Sequence, residues 1–241
     1  MLEKITKSSI GKVLSKFDSQ NHYDIIFWDT CSLLDIIRLP YRTGSVKYLD
    51  FYQQVFTLIK DKKVLSVASE LTIAELNCNI PNVEKEYDNY LKKLQQDFKC
   101  HEDYLIKCNK IDDPLINFTL EQKELKQSLF KLFNELISNT IFLTENLKYN
   151  KFAHFRVSYH MAPAQKKGEY KDCYIWATCL ELAKQSISYD TNILFFTKNK
   201  DDFFENGNLF ELIHNDCNNT SIKVVLDIGY LLRLTINKNI L

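Results

Sequence analysis

Glycine is scarce in this sequence, at 5 of 241 residues, and proline is scarcer, at 4. So few breakers leave little chain for irregular loops, and helix is expected to dominate. The glycine-rich phosphate cradles are missing too: neither G-x-x-x-x-G-K-[ST] nor G-x-G-x-x-G occurs, which disfavours P-loop and dinucleotide sites. Net charge is also absent, because 31 Lys and Arg balance 31 Asp and Glu. A neutral chain is no general polyanion binder, so any contact with nucleic acid has to come from a local basic patch. No apolar run approaches the roughly 18–20 residues of a membrane span. The opening MLEKITKSSIGKVLSKF carries lysines throughout and lacks the apolar centre of a secretory signal. A soluble cytoplasmic protein without a membrane partner is expected. Seven cysteines include no C-x-x-C pair, which argues against a structural zinc site and for buried thiols in a reducing compartment.

What is present is alternation. Residues 24–28 (DIIFW), 63–68 (KVLSVA), 192–197 (NILFFT) and 221–227 (SIKVVLD) read as strands. Helical spacing fills much of the rest: an amphipathic helix over about 2–18, a helix start at Ser32–Arg38, a helix over 46–60, and another begun by Ser69. Strong helices are also expected over 171–184 and 228–236. LPYRTG (39–44) and MAPAQKKGEY (161–170) read as loops. The charged helical stretch over about 83–138 reads as an insertion. Strands alternating with helices predict an α/β fold with a mainly parallel sheet, and the whole of 1–241 reads as one domain.

Ligands of parallel α/β sheets bind beyond the carboxyl ends of the strands, so acids at those ends are the first to consider. Asp29 follows DIIFW directly; a plain helix N-cap is the competing reading. Glu75 lies in SELTIAELN, and spacing puts Leu71, Ala74, Glu75 and Cys78 on one stripe. It is either a paired acid on that stripe or a glutamate at its edge. Asp172 opens KDCYIWATCLELAK on the stripe of Ile175, Trp176, Cys179 and Ala183, or else simply serves the helix dipole. Asp202 follows ILFFT, with Asp201 as its competitor, and Thr197 and Asn199 add oxygens at the same edge. Carboxylates gathered in one cleft raise one another's pKa, and a divalent cation relieves that repulsion. All-oxygen donors favour Mg²⁺ or Mn²⁺, whose natural chemistry is phosphodiester hydrolysis.

In order, FWDTCSLLDI, SELTIAEL, KGEYKDCYIWA and ILFFTKNKDDF resemble the PIN (PilT N-terminus) domain, and most closely a longer bacterial PIN-like group. The likeness spans roughly residues 22–227. It implies a three-layer α/β/α fold and a Mg²⁺- or Mn²⁺-dependent ribonuclease. The family's acidic site carries over onto Asp29, Glu75, Asp172 and Asp202, as catalytic groups and metal ligands. Thr30, Ser32, Thr197 and Asn199 take supporting roles. Where many members have Asn or Ser after the first Asp-Thr, this chain has Cys31. The resemblance further implies in-line attack leaving a 5′-phosphate and a 3′-hydroxyl. The insertion is then where substrate or partner choice is set.

For substrate phosphates the candidates are Lys166, Lys167 and Lys171 beside Asp172, with Arg156 upstream; a solvated loop is the competing reading. Tyr159 and Tyr170 offer faces for base stacking or serve the core. RNA is the expected partner, with a neutralising protein such as an antitoxin, or a homodimer, as further readings. Family members act as toxins, in RNA processing or in phage defence. A haloacid-dehalogenase-like phosphatase is discounted because Cys31 stands where its second acid belongs. The alternatives kept are a non-catalytic PIN-like module binding nucleic acid or a partner, and a DNA or flap nuclease using the same site.

Overall fold

In the computed structural model the described residues are 5–15, 24–108, 118–189 and 191–236, with side chains left aside for 118–123. The chain begins with a short strand, β1 (Thr6–Ser8), and a helix, α1 (Ile10–Leu14). Then come β2 (Asp24–Trp28), α2 (Thr30–Arg42), α3 (Lys47–Lys60), β3 (Val64–Ser69) and α4 (Glu70–Lys107). The middle runs through α5 (Phe118–Ser138), β4 (Ile141–Leu143), α6 (Leu147–Ser158) and α7 (Tyr170–Ser186). The last part holds β5 (Ile193–Phe196), α8 (Lys200–Phe203), a hairpin of β6 (Phe204–Glu205) and β7 (Asn208–Leu209), α9 (Glu211–Asn218), β8 (Ile222–Val225) and α10 (Ile228–Ile236).

Six strands form one parallel sheet in the order β1-β4-β3-β2-β5-β8. Helices cover both faces, giving the expected three-layer α/β/α fold with a helical insertion. Strand β2 explains why. Every residue of it is buried, so its two faces feed two cores. Ile25 and Phe27 join Phe195 and Trp176 of α7 on one face, while Ile26 and Trp28 join Phe196 and Tyr52 of α3 on the other. Each fully buried aromatic or branched side chain adds roughly 1.5–3 kcal/mol. The Trp28 indole N–H is satisfied inside the core by the Ser66 hydroxyl (2.9 Å), which in turn meets Thr140 (2.7 Å).

Several elements differ from expectation. The N-terminal segment is a strand and a five-residue helix instead of one helix over 2–18, and residues 2–4 and 16–18 of that reading lie outside the described residues. The 39–44 loop is mostly helix, since α2 continues through Pro40 to Arg42. The segment begun by Ser69 and the start of the insertion are a single 38-residue helix, α4, that runs through Pro81. Strands β1 and β4 escape notice in the sequence because each has only three residues.

Candidate active site at the sheet switch point

From β2 the chain moves to β3 and then β4 on one side; later it places β5 and β8 on the other. The strand order therefore reverses between β2 and β5, the crevice where ligands of such sheets bind. Trp28 pairs with Ala68 of β3 and Phe196 of β5. One residue further, Asp29 and Thr197 emerge side by side at the carboxyl edge.

Asp29 is held tightly. It is the N-cap of α2, 4% exposed, with Oδ1 accepting from the Thr30 amide (2.7 Å). Its Oδ2 accepts from the Thr197 hydroxyl (2.6 Å) and the Cys31 thiol (2.9 Å). So Cys31 does the work of a hydroxyl or amide at that position, while its sulfur accepts from the Lys198 amide (3.2 Å). Ser32 is fully buried, with its hydroxyl 2.8 Å from the Asp29 carbonyl and 2.6 Å from that of Phe196, which ties the two strand ends together.

The other acids come from three helices. Asp172, in the first turn of α7, accepts from the Asn199 amide group (3.3 Å). The same amide group donates to Asp202 Oδ2. Asp202 itself sits in α8, is 1% exposed, and its Oδ1 is buried with no hydrogen-bond partner among the described residues. Glu75 accepts from the Thr30 hydroxyl and lies 3.7 Å from the Lys171 ammonium. The stripe expected for Glu75 is displaced. The buried face of α4 is Thr72, Leu76, Val83 and Tyr87, whereas Ala74 and Cys78 are exposed, so Glu75 stands at the edge of the apolar face. The Asp172 stripe is buried as expected.

Burial and mutual repulsion raise Asp29, Glu75 and Asp172. Asp172 is pushed up to about 9, first by burial and then by Asp29, Asp202 and Glu75. Asp29 is raised by burial against the pull of the Cys31, Thr197 and Thr30 hydrogen bonds. Glu75 is raised by burial too, partly offset by Thr30 and Lys171. Burial beside Asp29 holds the Cys31 thiol well above its usual value, so it is protonated and no nucleophile.

Asp29, Glu75, Asp172 and Asn199 line one open cleft of about 370 Å³. Among the described residues no three His, Cys, Asp or Glu side chains are close enough to ligate one ion as they stand. The donor chemistry nevertheless fits a hard divalent cation: the acids are all oxygen donors, three of them have raised pKa values, and Asp202 has a buried oxygen that no described residue pairs.

Two basic candidates are corrected. Arg156 is 6% exposed and spent on structure: its guanidinium donates to Asp216 (2.6 Å) and to the Ala162 carbonyl. Trp176 shares Asp216 through its indole N–H (2.8 Å). Lys166 points to the Phe204 carbonyl (3.5 Å) and the Phe210 ring, away from the cleft lining. Lys167 lines the cleft and Lys171 reaches Glu75. The cations that reading missed are Arg38, Arg42 and Lys198, which line the same cleft. Their signal was two arginines four apart on the helix that Asp29 caps.

A parallel α/β/α sheet with acidic residues near its switch point places this chain among the α/β proteins whose ligand crevice lies at the carboxyl edge of the strands. The particular family follows from the sequence itself. The PIN domain signature matches residues 26–203, well over half the chain, and the chain belongs to the PIN domain family. PIN domains are generally nucleases that use divalent metals. No curated protein and no solved structure matches the chain. Among the described residues no helix is long and apolar enough to cross a membrane.

Proposed function

We propose that this chain is a Mg²⁺- or Mn²⁺-dependent endoribonuclease, working as one nuclease unit. The observation that supports the reading is that Asn199 donates to both Asp172 and Asp202 beside the strand end that carries Asp29, with Asp202 Oδ1 buried and unpaired among the described residues. Asp29, Asp172 and Asp202 would hold the ion, and Glu75 would complete the charge. The ion supplies a Lewis acid that polarises the phosphoryl group. The chain's own residues do the rest. Thr197, Cys31 and the Thr30 amide fix the Asp29 carboxylate, so its orientation costs nothing on binding. Asn199 bridges Asp172 and Asp202. Glu75, held by the Thr30 hydroxyl and with its pKa raised, is suited to take a proton from an attacking water. In-line attack leaves a 5′-phosphate and a 3′-hydroxyl. A toxin or phage-defence nuclease would use this activity, and growth arrest on expression separates those settings from RNA processing.

The test is cleavage of end-labelled single-stranded RNA and of branched DNA in Mn²⁺, Mg²⁺ or EDTA. RNA is cut only with metal, and folded Asp29→Asn loses activity by a factor on the order of a hundred or more. Preference for branched DNA would make it a flap-type nuclease instead. Equal cutting in EDTA, or a fully active Asp29→Asn, contradicts the reading.

A further inference from the structure

The cleft has two unlike sides. Its floor is acidic, whereas Arg38 and Arg42 of α2 and Lys198 of the β5–α8 turn line it with positive charge. Arg38 and Lys198 are not loose surface cations, whereas the Arg42 side chain is 44% exposed. The Arg38 and Lys198 side chains are only 14% and 22% exposed. Asp35, 4% exposed, stands 3.6 Å from Arg42 and 3.7 Å from Lys198. The Lys198 ammonium is also 5.5 Å from the centre of the Phe196 ring. Glu86 of α4 takes the Arg38 Nε (3.2 Å) and the Tyr41 hydroxyl (3.0 Å).

The hydrogen-bonding capacity of these groups is largely unspent. At 3.6 and 3.7 Å the Asp35 pairs are ionic contacts too long for a good hydrogen bond. Among the described residues Arg38 bonds only through its Nε, with neither terminal nitrogen hydrogen-bonded. Among the described residues, no hydrogen bond to protein occupies the Arg42 guanidinium or the Lys198 ammonium. Guanidinium groups held in place with open forks match phosphate oxygens in a bidentate way. A divalent cation would be repelled from this side and drawn to the acids, so the two sides call for different partners.

We propose that Arg38, Arg42 and Lys198 form the backbone-phosphate track for single-stranded RNA, seating the phosphates that flank the one to be cut. Asp35 and Glu86 are positioning residues for it. Because Glu86 belongs to α4, the insertion helix helps set the track. The inference rests on the nuclease reading and names how that site holds its substrate.

The test measures binding of a fluorescent single-stranded RNA over a salt series, in an Asp29→Asn background so that the RNA stays intact. Neutralising Arg38→Gln and Arg42→Gln together weakens binding on the order of ten- to a hundredfold. It also flattens the slope of log K against log salt by about 1.4, at roughly 0.7 per lost phosphate contact on a single strand. Arg38→Lys with Arg42→Lys keeps most of the salt slope and recovers part of the affinity, which loss of folding would not do. Lys166→Gln leaves both unchanged. Unaltered affinity and slope in the glutamine double variant, with RNA cutting intact in its Asp29 parent, overturn the track and leave the nuclease standing. No RNA binding by the native protein overturns both.

Discussion

Asp172 is the residue on which the site's electrostatics turn. Its folded pKa of about 9 stands far above the usual 3.8, so the folded chain holds a proton that the unfolded chain releases. The sign follows: without metal, stability contributed by the protonated group is complete below about pH 4 and is lost as pH rises toward 9. Asp29 and Glu75, raised as well, add to the same direction. The melting temperature in EDTA is therefore expected to fall across that window, and Asp172→Asn to flatten the fall. A melting temperature that climbs from pH 5 to 9, unaffected by Asp172→Asn, would contradict this. Asp29, Glu75 and Asp202 stood out in the sequence because each lies at or soon after a strand end, and Asp172 because it opens α7 on that helix's buried stripe. The partners of Arg156 and Lys166 were not, since Asp216, 60 residues from Arg156, adjoins it only in the folded chain. Arg38 and Arg42 were overlooked because they lie away from any strand end, Arg42 in the stretch read as a loop.

At the level of elements, local rules were overridden where burial was large. Pro40 removes one backbone donor from α2, yet Ile36, Ile37 and Leu39 around it are buried and hold the helix past it. Read locally, the proline and the glycine after it suggested a loop. The long helix α4 shows the converse: its buried residues end at Tyr87, and the segment after Leu91 is mostly exposed, so charge periodicity alone marked it. By contrast α10 was legible to the residue, since Ile228–Ile236 is a strongly apolar run bounded by polar chain. Its packing gives a sharp expectation. A Cβ on Gly229 would lie 2.7 Å from the Phe51 ring of α3 and 3.2 Å from Asp227 Oδ1, the atom that caps Tyr230. Gly229→Ala should destabilise the protein by about 1–3 kcal/mol in denaturant unfolding, despite alanine's better helix propensity. A neutral or stabilising result would mean that α3 and α10 pack less closely than described.

At the scale of the whole molecule, topology converts scattered acids into one site. Strand β2 sits near the middle of the sheet, buried on both faces, and β3 and β5 flank it. That placement sends Asp29 and the β5 turn to one crevice, with α4 and α7 bringing Glu75 and Asp172 to its walls. The alternation of strands and helices announced an α/β fold, but the strand order, and with it the switch point, depends on pairings between distant segments that no local pattern encodes. On this reading the carboxylates converge on a divalent cation. Its most direct measurement is the melting temperature with saturating Mn²⁺ against EDTA, for the native chain and Asp172→Asn. An ion at about 100 times its dissociation constant stabilises by about 2.7 kcal/mol, which for a chain of this size is a rise of roughly 5–10 °C. That rise is expected in the native protein and its loss in Asp172→Asn; an unchanged native melting temperature would mean that the carboxylates hold no ion.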